Sequence, residues 1–168
     1  MKKATAVHFI HKEKNEVLLA DQQFKIIGLK GFGGKIEEGE SALVSTIREV
    51  VEETGGISVY EEDLIPVALI DFYNGPEELI PFGHPSFRVL FYNCYIFEGE
   101  AISTDEMKDP KYYDIDNLPI DRLVPGDDLF IHQILKGNTI KGWIRRTADF
   151  KTIINYEMYP CTLAELVI

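Results

Sequence analysis

The chain has 168 residues, 45% of them hydrophobic and 27% charged, with 17 Lys+Arg against 28 Asp+Glu and a net charge of −11. A chain this long buries roughly 68–70% of its unfolded surface, so it can build a core without staples, and its apolar share excludes disorder. The acid excess excludes non-specific binding to a nucleic-acid polymer, which needs Lys and Arg to displace counterions.

Two cysteines, Cys94 and Cys161, make neither a disulfide framework nor a Cys-rich zinc site. No apolar run approaches the ~18 residues that span a bilayer. The start of the chain carries Lys2 and Lys3, but His8, His11, Lys12 and Glu13 break the stretch that a signal peptide would keep apolar. The expectation is a cytoplasmic protein with reduced thiols and no membrane partner.

In chain order, Ala4–Ile10 and Glu16–Ala20 read as strands joined by a turn at Lys14-Asn15. Gln23–Gly39 holds glycines at 28, 31, 33, 34 and 39 and reads as irregular. Ser41–Thr54 has helical periodicity and stops at Gly55-Gly56. Leu64–Phe72 reads as a strand, Asn74–Ser86 as a Pro- and Gly-bearing loop, Phe87–Phe97 as a long buried strand and Tyr112–Ile115 as a short one. Asp127–Lys136 reads as a second helix with an acidic start, which suits the helix dipole. Lys141–Arg146 and Thr152–Met158 read as closing strands. There is no repeat and no linker. The fold class expected is α+β, a mixed sheet covered by a few helices, in one domain over residues 1–168. Residues 159–168 form a tail whose Leu163, Leu166, Val167 and Ile168 suit docking on the body or on a second subunit.

The segment Gly34–Gly55, GKIEEGESALVSTIREVVEETG, carries the chemistry. On a wheel of about 100° per residue, Leu43, Ile47, Val50 and Val51 share one face, while Glu49, Glu52 and Glu53 share the other within an arc of about 100°. Residues at i, i+3 and i+4 with like charge repel. Glu37, Glu38, Glu40, Glu61, Glu62 and Asp63 add to the cluster, against the single base Arg48. A solvated acidic helix face is the bland explanation, but such a face usually alternates Glu with Lys, and here a glycine-rich loop leads into it. Carboxylates of this kind suit Mg²⁺ or Mn²⁺, which could neutralise a diphosphate and activate water. Other chemistry lacks its motif: Lys35 is followed by Ile36, so there is no GxxxxGK[ST] loop, and the histidines at 8, 11, 84 and 132 have no HExxH spacing.

Gly34, five residues, Glu40, seven residues, then Arg48-Glu49-Val50-Val51-Glu52-Glu53-Thr54-Gly55 resembles the signature of the Nudix hydrolases. One position departs, with Gly56 where an aliphatic residue usually follows the last glycine. The resemblance implies a three-layer α/β/α sandwich with a mixed central sheet. It also implies Mg²⁺-dependent hydrolysis of a nucleoside diphosphate linked to another moiety. By motif position Glu49, Glu52 and Glu53 would hold metal and Gly34 would add a backbone carbonyl. Glu40 would pair with Arg48 to orient the helix, and Glu52 or Glu53 would also act as the base toward water.

A second resemblance, to the MutT-homologue branch that hydrolyses oxidised purine nucleoside triphosphates, rests on Gly31-Phe32-Gly33-Gly34-Lys35, Asp105-Glu106-Met107, Leu118-Pro119, Pro125-Gly126-Asp127-Asp128, Lys141-Gly142-Trp143 and Ile153-Ile154-Asn155-Tyr156. It implies Glu106 near the metal and Asp127 with Asp128 on the purine edge, where one of two adjacent acids stays protonated. A solvated loop acid for Glu106, and a helix N-cap for Asp127-Asp128, explain the same residues. Three positions depart from the branch: Lys30 replaces an asparagine, Val124 replaces a stacking tryptophan, and Gly126 is inserted. Lys30 could contact phosphate or a base oxygen beside Gly33 and Gly34, and Phe24, Phe72, Phe82 and Trp143 are candidate stacking aromatics. The reading is a nucleotide pyrophosphohydrolase, monomer or homodimer, acting on a purine nucleoside triphosphate and yielding monophosphate and pyrophosphate. ADP-ribose, a dinucleoside polyphosphate or a nucleotide sugar is the alternative substrate, and a silent nucleotide sensor the alternative class.

Overall fold

The computed structural model describes residues 1–24, 26–76 and 83–168. Its sheet begins with β1 (Lys2–His11), β2 (Glu16–Gln22) and a short β3 (Gly28–Lys30). The helix α1 (Ala42–Thr54) follows, then β4 (Leu64–Asn74), β5 (Phe87–Cys94) and β6 (Met107–Asp114). A short helix α2 (Ile131–Leu135) precedes the hairpin β7 (Ile140–Arg146) and β8 (Ile153–Pro160). Among the described residues the strand order is β3-β2-β1-β5-β4-β7-β8, with β6 on the other edge of β2. The β1–β5 and β4–β7 pairs are parallel and the rest antiparallel, so the sheet is mixed as expected.

Alternation along the central strands divides the core in two. Val7 and Phe9 of β1, with Leu90, Tyr92 and Cys94 of β5, pack beneath Val50, Ile47 and Leu43 of α1. Ala6 of β1 and Phe91 of β5 face the other way, against Phe130 and Ile134. Ile10, Val17 and Leu19 meet Ile131 and Leu135 there. Each fully buried side chain of this kind contributes roughly 1.5–3 kcal/mol, which fixes the helices on opposite faces. The three-layer arrangement follows.

Several boundaries differ from the sequence reading. Residues 28–36, expected to be irregular, are annealed to the sheet. Beyond β3, the Val7 and Phe32 backbones exchange hydrogen bonds, Thr5 N–H donates to the Gly34 carbonyl and Ile36 N–H to the Lys3 carbonyl. Glycines hid this strand because alternation cannot be read where side chains are missing. The strand expected at Tyr112–Ile115 begins earlier, at Met107, because pairing with β2 overrides the poor strand propensity of Lys108-Asp109-Pro110-Lys111. The long strand expected to end at Phe97 stops at Cys94. The helix expected over Asp127–Lys136 is a 3₁₀ turn at Asp127–Leu129 followed by α2. The loop expected at Asn74–Ser86 lies largely outside the described residues, and Phe82 with it.

The tail begins later than expected, because Tyr159 and Pro160 belong to β8. Beyond it Leu166 is buried, and Ile168 and Cys161 pack on the α1 side of the core. Both cysteines are free, Cys94 buried and Cys161 partly so. Among the described residues no helix is long and apolar enough to cross a membrane.

Candidate active site

The α1 helix starts where Ser41 accepts a hydrogen bond from Val44 N–H at 3.2 Å and ends at Gly55, whose left-handed φ of 64° closes the last turn. Gly56, the departure from the signature, lies against Glu100, and an added Cβ would collide with that carbonyl. The aliphatic role passes to Ile57, which is buried and donates its N–H to Thr54 Oγ1 at 3.0 Å.

The three helix carboxylates share one side of α1 but not one environment. Glu53 is 5% exposed and accepts the Gly33 N–H at 2.6 Å. Gly33 reaches it through a φ of 146°, with its Cα so close to β1 that a side chain would strike the Thr5 carbonyl. Glu49 lies against Gly34, where a Cβ would stand 2.5 Å from the carboxylate. The double glycine is therefore what lets the sheet edge touch both acids. Glu52 is exposed, with a side-chain exposure of 58%. Val51, assigned to the apolar face, is also exposed.

Arg48 organises this side. Its Nε and Nη2 donate to the two oxygens of Glu40 at 2.8 and 3.0 Å, a bidentate pair. Its Nη1 donates to Glu49 at 2.8 Å and Glu52 at 3.2 Å, and its Nη2 reaches the Lys35 carbonyl at 3.1 Å. The Arg48 hydrogen bond, with the Glu37 N–H, holds Glu40 down at about 2. Burial pushes Glu49 and Glu53 up instead, with the Glu52 charge adding to the rise of Glu49 and the Glu49 and Glu106 charges to that of Glu53. Glu106 therefore stands within electrostatic reach of Glu53.

Among the described residues no three His, Cys, Asp or Glu side chains stand at metal-holding spacing. Arg48 draws Glu49 and Glu52 to itself, and Gly33 holds Glu53. The donor chemistry nevertheless fits a hard divalent cation, with four carboxylates and the Gly34 carbonyl as oxygens, two of the acids raised by burial and crowding.

On the other face of the sheet lies a cavity of about 220 Å³. Its walls are Ala4, Ala6 and His8 of β1, Val89 and Phe91 of β5, Phe72, Val124, Asp127 and Arg146. Gly33, Gly34, Lys30 and Lys35 join it to the carboxylates, so one glycine pair borders both. Lys30 Nζ donates to the Gly33 carbonyl at 3.2 Å, and its charge opposes the rise of Glu49, Glu53 and Asp127. It occupies the junction between the two halves.

The structure parts Asp127 from Asp128. Asp127 is buried in the cavity wall, raised to about 7 by burial, with Arg146 and Lys30 opposing the shift. Asp128 is exposed, and its Oδ1 accepts the Gly126 N–H at 3.2 Å. Neither is the N-cap of α2, which is Phe130. The inserted Gly126, at a φ of 100°, makes the turn that carries Asp127 inward. Of the candidate aromatics Phe72 lines the cavity, Phe24 is exposed, and Trp143 donates to Glu157 at 3.1 Å.

Sequence reasoning missed His8 and Arg146. His8 is 1% exposed and held neutral by burial, down to about 4, and its Nδ1 has no hydrogen-bond partner among the described residues. A histidine inside an apolar strand was the available signal. Arg146 gave none, being one of two adjacent arginines at a strand end.

Comparison with known proteins agrees with this geometry. The NUDIX domain family model matches residues 1–134. An oxidized purine nucleoside triphosphate hydrolase from Mus musculus is 28% identical over 152 residues, covering 84% of this chain and 90% of that protein. An ADP-ribose pyrophosphatase from Methanocaldococcus jannaschii is 32% identical over 122 residues, covering 69% of this chain and 64% of that one. A MutT protein from Bacillus halodurans has the same fold, with a TM-score of 0.76 at 22% identity over 94% of this chain and 97% of that one. With the signature helix, its glycine loop and its acids in place, the chain belongs to the NUDIX domain family and is a Nudix hydrolase acting on phosphoric anhydride bonds.

Proposed function

We propose that the protein hydrolyses a purine nucleoside triphosphate to the monophosphate and pyrophosphate, with Mg²⁺, or Mn²⁺ in its place, as cofactor. The observation that carries this reading is the Gly33–Gly34 edge, which borders the base-sized cavity on one side and the acids Glu49 and Glu53 on the other. A nucleotide lying across that edge sets its base in the cavity and its phosphates beside α1. The relation to the mouse enzyme, whose name specifies oxidized purine nucleoside triphosphates, supports the substrate class.

Glu49, Glu52, Glu53, Glu106 and the Gly34 carbonyl would hold the cation, and Glu49 and Glu52 would turn from Arg48 to do so. When bound, the cation supplies positive charge against phosphate oxygens and acidifies water. Arg48 stays anchored by Glu40 and keeps the helix acids in register, a positioning role. Glu53, buried and raised, is fitted to take a proton from the attacking water, with Glu52 the alternative base. Lys30 offers its ammonium to phosphate at the junction. Asp127 faces the base edge, and Asp128 shapes the turn that presents it.

Residues 1–168 act as one catalytic unit, with no nucleic-acid polymer or membrane as partner. The free thiols suit a reducing cytoplasm. The archaeal relative favours a second reading, ADP-ribose cleavage at the same acids. Product analysis separates the two: release of pyrophosphate from a purine triphosphate supports the first, and AMP with ribose phosphate from ADP-ribose, with triphosphates untouched, supports the second.

A further inference from the structure

Arg146 lies on β7, outside the residues that the family model matches, yet it lines the cavity. It is 3% exposed. Its Nε donates to Asn74 Oδ1 at 2.7 Å and its Nη1 to the Pro125 carbonyl at 2.9 Å. The guanidinium also stands 4.6 Å from the centre of the Phe72 ring and 5.4 Å from that of Phe150. A planar fork held at these points is aimed, because little rotamer freedom remains to it.

Burying a cation is costly unless an anion is paired with it. The acid within electrostatic reach is Asp127, buried in the same cavity. Yet among the described residues the two form no hydrogen bond or salt bridge. A buried donor set and a buried acid thus line one apolar chamber without closing on each other, which is the arrangement that a planar, polar-edged ligand completes.

We propose that Arg146 and Asp127 together select the nucleobase, Arg146 donating to the 6-carbonyl oxygen of an oxopurine and Asp127 meeting the neighbouring N–H. This rests on the nucleotide reading given above and narrows its substrate class to 6-oxopurines. Guanine and hypoxanthine present an acceptor at position 6 and a donor at position 1. Adenine presents a donor at 6, which would face the guanidinium unpaired. A buried polar group left without its partner is what makes such a site reject the wrong ring.

Deoxyinosine and deoxyadenosine triphosphates differ in this edge alone, so their kcat/KM ratio is the readout. Wild-type protein prefers dITP by about 30-fold or more, the scale of one good base contact. Arg146→Met lowers dITP turnover by a similar factor and dATP turnover by less than about 3-fold. Arg146→Lys, which keeps the charge but not the fork, loses at least about 5-fold of the ratio with unchanged thermal melting, and serves if the Met variant fails to fold. Calorimetric binding of dIMP and dAMP gives the same ratio without turnover.

Equal losses on both bases, a ratio unmoved in the Lys variant, or a wild-type preference for dATP would overturn the assignment while leaving purine hydrolysis standing. Wild-type protein that neither cleaves the triphosphates nor binds the monophosphates would overturn the assignment together with the nucleotide reading.

Discussion

The two faces of the sheet solve the problem of buried charge in opposite ways. On the α1 face Arg48 is saturated by Glu40, Glu49, Glu52 and the Lys35 carbonyl. On the cavity face, among the described residues, Arg146 and Asp127 stay apart and His8 Nδ1 has no hydrogen-bond partner. A face whose arginine is anchored by Glu40 keeps its helix in register even when Glu49 and Glu52 turn to a cation. A face whose polar groups are unmet gains by taking up a ligand, and an unmet group gives discrimination because the wrong ligand leaves it unmet. The division fits phosphate chemistry on one side and base recognition on the other, with Lys30 and the Gly33–Gly34 edge between.

The largest expected effect tests whether the first face is the chemical one. Glu53→Gln keeps the shape and the Gly33 hydrogen bond but removes the base and a ligand. It is expected to lower kcat by about 10³-fold or more with an unchanged circular dichroism spectrum. Near-wild-type turnover would move the chemistry elsewhere. Next is the crosslink itself. Arg48→Lys loses the fork to Glu40, and kcat is expected to fall about 10- to 100-fold with KM little changed, because the helix acids lose their register. A rise in KM alone would make Arg48 a substrate ligand.

Smaller effects sharpen the second face. Asp127→Asn is expected to raise KM for purine triphosphates about 10-fold and to affect pyrimidine substrates less. Equal losses would reduce Asp127 to a structural role. The same variant carries a pH signature. Asp127 has a folded pKa of about 7, above its unfolded value, so its contribution to stability is present at low pH and is lost as pH rises through about 7. The loss begins above the unfolded value of 3.8, so Asp127→Asn should gain more melting temperature on wild type at pH 8 than at pH 5. His8 works in the reverse direction. Its pKa is depressed to about 4, so the stability linked to its neutral form is present above about 6.5 and is lost as pH falls toward 4. His8→Leu should flatten that acid limb, and an unchanged limb would assign it to other groups.

These two faces also differ in how far the sequence discloses them. The α1 face is local: Glu40, Arg48, Glu49, Glu52 and Glu53 lie within fourteen consecutive residues, the last four on one helix and Glu40 just before its N-cap. The mixed sheet with its few covering helices was readable from the residue pattern, and the three layers were implied by the resemblance to the Nudix hydrolases. The cavity face is assembled from His8, Asp127 and Arg146, which meet only because β1 pairs with β5, β5 with β4 and β4 with β7. No spacing rule connects those positions. The separation of Asp127 from Asp128 was hidden for another reason: one glycine, Gly126, sets the turn that buries the first and exposes the second. Local chemistry writes itself into spacing, whereas a ligand chamber is a product of register.

The most direct test of the central claim is a hydrolysis panel in Mg²⁺ with products identified, spanning canonical deoxynucleoside triphosphates, 8-oxo-dGTP, 2-hydroxy-dATP, ADP-ribose and diadenosine polyphosphates. The account predicts that purine triphosphates give the highest kcat/KM, that they yield monophosphate and pyrophosphate, and that chelation abolishes turnover. Turnover confined to ADP-ribose or dinucleoside polyphosphates, or no turnover of any of them in Mg²⁺ or Mn²⁺, would contradict it.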